Sequence, residues 1–158
     1  PPTLGHADIV SRAAKHFDHV YWAAAVNPEK KYLFTQEERK QMMQAFVDQT
    51  PGLDNVSVDA FQGPTVRYAQ RKGATVLIKG LRSINDFHGE LQQAIGNQGI
   101  DPNLETFCLF GRPDLFVLSS TLVREVALLG ESVDRYVIPE VAQMIYDILS
   151  KQELISPK

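Results

Sequence analysis

The sequence contains a single cysteine and has no apolar run long enough to cross a membrane. One cysteine cannot form an internal disulfide, and the surrounding letters "TFCLF" offer no second thiol or histidine for a metal site. We therefore expect Cys108 to be an ordinary core residue. The apolar stretches fall short of the roughly 20 residues that a membrane helix needs, and the first residues lack the pattern of a secretory signal. The sequence is accordingly interpreted as that of a cytoplasmic protein.

Charge of one sign is also lacking. The chain has 16 basic and 19 acidic residues, for a formal net charge of −3. This balance gives no basic excess for nucleic acid, so any charge that binds phosphate must be local. Neither a Walker A motif nor a GxGxxG fingerprint is present, which argues against the commonest NTPase and dinucleotide sites. The length of 158 residues, without repeats or linkers, predicts a single domain over residues 1–158.

Short apolar runs alternate with segments of helical periodicity. The runs "HVYWAAAV", "NVSVDAF", "ATVLIK" and "ETFCLF" have the character of strands. Helical segments separate them: one has Thr35 and Glu38 at capping-box spacing, and another is stopped by Gly73. Strands that alternate with helices predict an α/β fold, with a mainly parallel sheet covered on both faces. In such sheets, ligands bind beyond the carboxyl ends of the strands.

Two stretches at predicted element ends carry residues suited to phosphate. In "TLGH", Gly5 permits close backbone approach, and His6 falls in the first turn of a helix, where it can donate to a phosphate oxygen. In "LIKGLR", Lys79 and Arg82 flank a turn at Gly80, at the end of an apolar strand. Each stretch also fits a plain alternative, namely a polar helix start and a solvated turn.

Further candidates are less specific. In "LSSTLVRE", the hydroxyls of Ser119, Ser120 and Thr121 stand where a helix begins, which suits an anion but also an ordinary helix cap. Lys30 follows the first predicted strand, and Glu90 lies on the helix after "KGLR", where solvent exposure is an equal explanation. The remaining histidines match no metal-ligand spacing. Taken together, the candidates predict a polyphosphate site, and the lack of paired carboxylates favours catalysis by positioning and charge stabilisation.

Four segments resemble a known family. "PPTLGHADIV" and "SSTLVREV" resemble the (H/T)xGH and (I/L)SSTxxR signatures of the nucleotidyltransferase superfamily. "NPEKKYLFTQEER" and "ATVLIKGLRSINDFHGEL" are similar to stretches of bacterial phosphopantetheine adenylyltransferases, and the similarity runs from Pro2 to about Tyr146. The resemblance implies a Rossmann-like fold and the transfer of AMP from ATP to 4′-phosphopantetheine, which gives dephospho-coenzyme A and pyrophosphate. It also implies magnesium with the ATP, a homohexamer, and inhibition by coenzyme A.

The resemblance also implies roles for individual residues. His6 would stabilise the transition state at the α-phosphate, and Lys30, Thr65 and Lys79 would bind the acceptor substrate. The residues implied to contact ATP are His6, Gly80, Leu81, Arg82, Glu90, Leu115, Phe116, Val117, Leu118, Ser119, Ser120 and Thr121.

The sequence departs from the family pattern at three places. The family has a first strand that ends in a Gly-Thr-Phe or Gly-Ser-Phe turn, and this strand is absent from the present sequence. We expect it to precede Pro1, and without it we expect an opened sheet and an impaired site. Lys79 stands where arginine is usual, which loses a bidentate fork. "RPDLFVLSS" lacks the aromatic residue often found before the serine motif.

Two alternatives remain open at this point. A nicotinamide mononucleotide adenylyltransferase or a cytidylyltransferase would share both end signatures, and acceptor and nucleotide preference would distinguish them. A protein that binds a nucleotide or coenzyme A without catalysis would also fit, because the expected first strand is missing.

Overall fold

A computed structural model describes residues 1–26 and 32–156 of the chain. These residues form an α/β fold in which all four strands predicted from the sequence are found. In chain order the elements are α1 (Leu4–Ala14), β1 (Val20–Val26), α2 (Gln36–Gln49), β2 (Val56–Gln62), α3 (Thr65–Lys72), β3 (Val76–Leu81), α4 (Ile84–Ile100), β4 (Glu105–Phe110), α5 (Ser120–Leu128) and α6 (Pro139–Lys151).

The strands pair in two parallel ladders, β1 with β2 and β3 with β4. Val20 lies opposite Val56 in the first ladder, and Val76 lies opposite Glu105 in the second. Within the described ranges, no strand pairing joins β1 to β3. Consecutive residues of both strands line one cavity of about 330 Å³, so their edges face each other across it. We call this space the inter-ladder cavity. The described sheet is therefore open between β1 and β3.

Helix α1 lies across both ladders and connects them. It packs against β1 and against β3. The guanidinium of Arg12 donates a 2.7 Å hydrogen bond to the carbonyl of Phe110, the last residue of β4, and a 3.2 Å bond to the carboxylate of Asp8 one turn earlier. The helix thus supplies a connection that the strands do not make to each other.

The main core lies between α2, α5 and α6. Its most buried members are Met42 and Phe46 from α2, Val123 from α5, and Ile145 and Leu149 from α6, each at most 1% exposed. These positions recur every three or four residues on their helices, so each helix buries one stripe. Burial of the α5 stripe fixes the start of that helix next to α1.

Helix ends follow the predicted chemistry. The backbone N–H of Glu38 donates to the Thr35 hydroxyl at 3.2 Å, and the backbone N–H of Thr35 donates to the Glu38 carboxylate at 2.7 Å, which confirms the capping box. Gly73 has φ +66°, the left-handed conformation that ends α3. Pro139 is the first residue of α6, as predicted.

The prediction that Cys108 is a core residue is wrong. Cys108 is an exposed free thiol, and its strand neighbours Phe107 and Phe110 are 49% and 77% exposed. Among the described residues, β4 pairs with one strand only, and the helices leave much of it uncovered. An apolar run in the sequence cannot distinguish such a strand from a central one.

Across residues 1–26 and 32–156, no helix combines the length and apolar character needed to span a membrane.

The helical core makes a testable prediction about stability. Leu149→Ala should lower the free energy of unfolding by about 2–5 kcal/mol, because the truncation leaves a cavity among α2, α5 and α6. Leu129→Ala is the matched control, since Leu129 is 77% exposed, and it should change the free energy by less than about 0.5 kcal/mol. Urea unfolding followed by circular dichroism measures both, and equal effects would contradict the assignment of the core.

Candidate functional site

Three separated stretches of the sequence meet around one cavity. The start of α1, the carboxyl end of β3 and the loop before α5 surround a space of about 310 Å³, which we call the central cavity. The predicted site residues in its wall are His6, Lys79, Gly80, Arg82, Glu90, Leu115 and Leu118. The cavity lies at the carboxyl ends of parallel strands, where α/β folds bind their ligands.

Thr3 and His6 build the start of α1 as a unit. Thr3 is the N-cap residue and is fully buried. Its backbone N–H donates to Nδ1 of His6 at 3.2 Å, and its hydroxyl oxygen lies 2.8 Å from the same nitrogen. A ring nitrogen that accepts an N–H bond carries no proton, so this contact assigns the proton of the neutral ring to Nε2. His6 therefore has one donor, Nε2–H, left for a ligand.

The surroundings of His6 favour the neutral ring. Burial in the cleft and the positive charge of Arg82 lower the pKa of His6 from 6.5 to about 4. The donor at Nδ1 acts in the same direction, because a protonated Nδ1 could not accept it. More than a third of the residue's surface is nevertheless open to water, so its effect on stability is smaller than that of a fully enclosed histidine.

The two cations of the "KGLR" turn are each paired with a carboxylate of α4. The ammonium of Lys79 lies 2.6 Å from Oε2 of Glu90. Nε of Arg82 lies 3.3 Å from Oδ2 of Asp86, which also accepts a 3.0 Å bond from the backbone N–H of Arg82. The Arg82 guanidinium donates in addition to the carbonyl of Leu118, in the loop before α5. Both cations are thus held at the cavity wall before any ligand binds.

Gly80 lies at a close approach of β3 to α1. A Cβ atom added at this position would lie 3.0 Å from Cγ1 of Ile9, closer than carbon atoms normally approach. A side chain here would press on Ile9, and the Ile9 side chain or α1 would have to shift by a few tenths of an ångström. The glycine that the sequence pattern placed at a close approach therefore makes one, against the helix that carries the histidine.

The hydroxyls at the start of α5 are partly occupied. The Ser119 hydroxyl accepts from the backbone N–H of Leu122 at 3.0 Å and caps the helix, and the Ser120 hydroxyl donates to the carbonyl of Pro1 at 2.7 Å. Thr121 is exposed. Ser120 lines a neighbouring cavity of about 310 Å³ together with His6, so the His6 ring stands between two spaces.

The remaining predicted residues lie outside the central cavity. Thr65 lines the inter-ladder cavity together with Lys79. Leu81 is buried in β3, whereas Phe116 and Val117 are 50% and 73% exposed. Lys30 lies outside the described residues.

Sequence reasoning missed several residues that shape the site. Thr3 and Asp86 left a signal that could have been used: Thr3 stands at capping spacing before His6, and Asp86 stands four residues after Arg82. Arg112 lines the central cavity without any such signal.

The chain resembles proteins of known name over most of its length. The family model described as cytidylyltransferase-like matches residues 1–126. The chain is 41% identical to the phosphopantetheine adenylyltransferase of Symbiobacterium thermophilum, over 97% of this chain and 93% of that protein. It is 38% identical to the phosphopantetheine adenylyltransferase of Thermotoga neapolitana, over 96% of this chain and 92% of that protein. It is 45% identical to the phosphopantetheine adenylyltransferase of a Synechococcus strain, over 90% of this chain and 88% of that protein.

The contacts of His6 predict an unusual titration. In a proton NMR titration, the ring resonance of His6, assigned by its loss in His6→Gln, should have a midpoint near 4. The unfolded chain then binds this proton more readily than the folded protein, so acid should reduce stability as the pH falls from about 6.5 towards 4. His6→Gln should lack that part of the loss. A midpoint at or above 6.5 would contradict the neutral ring.

Proposed function

The chain belongs to the cytidylyltransferase-like family and, within it, to the phosphopantetheine adenylyltransferases; we infer that it transfers AMP from ATP to 4′-phosphopantetheine, with dephospho-coenzyme A and pyrophosphate as products. The observation that carries the chemistry is the convergence of His6, Lys79 and Arg82 on one cavity. Near full-length similarity to proteins of that name supports the choice of acceptor over nicotinamide mononucleotide.

The reaction needs a donor at the α-phosphate more than it needs a base. A phosphate oxygen of the acceptor attacks the α-phosphorus of ATP, and the bond to the departing pyrophosphate breaks. The attacking group is a phosphate monoester with a second pKa of about 6, so it is already deprotonated at neutral pH. His6 donates Nε2–H to an oxygen of the α-phosphate and stabilises the charge that builds there. Its lowered pKa keeps this role independent of pH near neutrality.

The two cations divide the substrates between them. Lys79 binds the acceptor phosphate, and Arg82 binds the phosphates of ATP. Both side chains are held in advance by carboxylates of α4, so little ordering remains to be done when the substrates bind. The resemblance adds Lys30 and Thr65 on the acceptor side. On the nucleotide side it adds Gly80, Leu81, Glu90 and residues 115–121.

Magnesium is proposed as the partner of ATP. Within the described residues, no cluster of three histidine, cysteine or carboxylate side chains could hold a metal ion by itself. Asp8 and Glu90 line the central cavity, and each is paired with a cation. This set fits an ion that arrives on the nucleotide phosphates and keeps part of its water, which is how magnesium usually binds with ATP. Bound magnesium would supply charge neutralisation at the departing pyrophosphate.

An oligomer and a cytoplasmic location are further parts of the proposal. The outer face of α4 exposes Ile84, Phe87, Leu91 and Ile95, by 75%, 46%, 44% and 63%. These residues recur at helical spacing and form an apolar stripe of the kind that subunit interfaces cover, which supports the homohexamer. The exposed free thiol of Cys108 suits a reducing compartment. Coenzyme A, as a relative of the product, is proposed as an inhibitor.

Release of pyrophosphate tests the reaction directly. The protein should release pyrophosphate from ATP only when 4′-phosphopantetheine is present. CTP should not replace ATP, and nicotinamide mononucleotide should not replace 4′-phosphopantetheine. His6→Ala should reduce turnover by roughly 10²- to 10³-fold, the usual loss for one transition-state donor, with ATP binding retained. His16→Ala is the matched control, because His16 is an exposed histidine after α1. Binding of both substrates without turnover would favour the non-catalytic alternative.

The apolar stripe on α4 makes a separate prediction about assembly. The parent protein should have a mass in solution close to six copies of its 17.7 kDa chain. Leu91→Asp should lower that mass, because a charge on the stripe opposes its burial against another copy. Leu129→Asp, at a more exposed leucine off the stripe, should leave the mass unchanged. Light scattering after gel filtration measures all three, and a monomeric parent would contradict the hexamer.

A further inference from the structure

One face of α4 holds the ammonium of Lys79 at two points. Oε2 of Glu90 lies 2.6 Å from Nζ, and Oε1 of Gln93, one turn further along the helix, lies 3.2 Å from the same nitrogen. Residues three apart on a helix project to the same side, so both contacts are made at once. Neither the family signatures nor the motifs of the sequence gave Gln93 a role.

The geometry of the ammonium decides what remains for a ligand. Lysine has three N–H donors in a tetrahedral arrangement. Gln93 accepts a hydrogen bond from one of them, whereas Glu90 is held as an ion pair without hydrogen-bond geometry, so donors remain for a ligand. Lys79 lines both the central cavity and the inter-ladder cavity, so its side chain lies at the junction of the two. Thr65 is on one side of this junction and His6 is on the other.

The two helix residues act differently on the charge. Glu90 is a carboxylate, so it orients Lys79 but also competes with a phosphate for its charge. Gln93 is neutral, so it orients the ammonium and leaves the charge available. Lysine needs such orientation more than arginine does, because it is a point charge on a flexible stem without a planar fork.

The same face of α4 also holds Arg82. Asp86, Glu90 and Gln93 follow one another at positions i, i+4 and i+7, and the first of them pairs with Arg82. No residue of α4 is buried, and its polar contacts with Lys79 and Arg82 help to hold it against the end of β3. The turn that carries both cations is thus aligned by one polar face of one helix.

We propose that Gln93 is a positioning residue for the acceptor site, which aims Lys79 at the phosphate of the acceptor substrate. The inference rests on the proposed function, because that function supplies the phosphate. It predicts a selective effect. Loss of the Gln93 contact should weaken the binding of a phosphorylated acceptor and leave the nucleotide site as it was.

Steady-state kinetics give the first measurement. Gln93→Leu should raise the KM for 4′-phosphopantetheine roughly three- to tenfold, the usual net contribution of one hydrogen bond, with kcat and the KM for ATP within about twofold of the parent. Gln92→Leu is the matched control, because Gln92 is the neighbouring exposed glutamine and points away by one helical step. An unchanged acceptor KM, or an equal rise in the KM for ATP, would overturn the inference.

A double-mutant cycle tests whether Gln93 acts through Lys79. Lys79→Met removes the ammonium, so adding Gln93→Leu to it should have no further effect on the acceptor KM. A full effect of Gln93→Leu in the Lys79→Met background would mean that Gln93 only supports the helix, and the inference would fail.

Calorimetric binding separates this inference from the proposed function. Gln93→Leu should weaken 4′-phosphopantetheine by the same factor and leave pantetheine, which lacks the phosphate, unaffected. If the parent binds 4′-phosphopantetheine without turnover, the proposed reaction fails while a selective loss in Gln93→Leu still supports the positioning role. If turnover is normal and Gln93→Leu binds like the parent, the positioning role alone fails. No binding to the parent would overturn both.

Discussion

The position of α1 is the constraint on which the rest of the site depends. The two strand ladders share no backbone pairing in the described part of the chain, and α1 contacts both of them. Arg12 reaches the carbonyl of Phe110 at the end of β4, and Ile9 sits against Gly80 at the end of β3. The same helix carries His6 in its first turn. The contacts that hold the ladders together therefore also set the distance between the histidine and the two cations.

Lys79 and Arg82 bring positive charge to the central cavity, and His6 is a neutral donor beside them. His6 is neutral because burial, Arg82 and a fixed donor at Nδ1 all oppose its protonation. A positively charged His6 ring would be repelled by Arg82. A neutral ring can lie close to Arg82 and still donate through Nε2–H. Helix α4 holds Lys79 and Arg82 each with a carboxylate, which also reduces the cost of placing the two cations together.

The sequence predicts the helices and strands well, but it predicts less well which face of each one is buried or in contact. The four strands, the Thr35 capping box and the glycine stop at Gly73 depend on local chemistry, so they could be found from neighbouring residues. Cys108 was misplaced because burial of a strand depends on what packs against it, and no local pattern contains that information. The contact of Gln93 with Lys79 could not be predicted for the same reason, since it requires knowing which face of α4 meets β3.

The family pattern and the physical chemistry meet at the replacement of arginine by lysine. An arginine at position 79 would present a planar fork and could bind a phosphate and Glu90 with separate N–H groups. A lysine carries its three donors on one nitrogen without a planar fork, so its aim depends on the contacts that its neighbours make with that nitrogen. Glu90 alone would leave the ammonium free to rotate about a single contact. A second contact from a neutral side chain removes that freedom without cancelling the charge, and Gln93 stands at the position on α4 from which such a contact can be made.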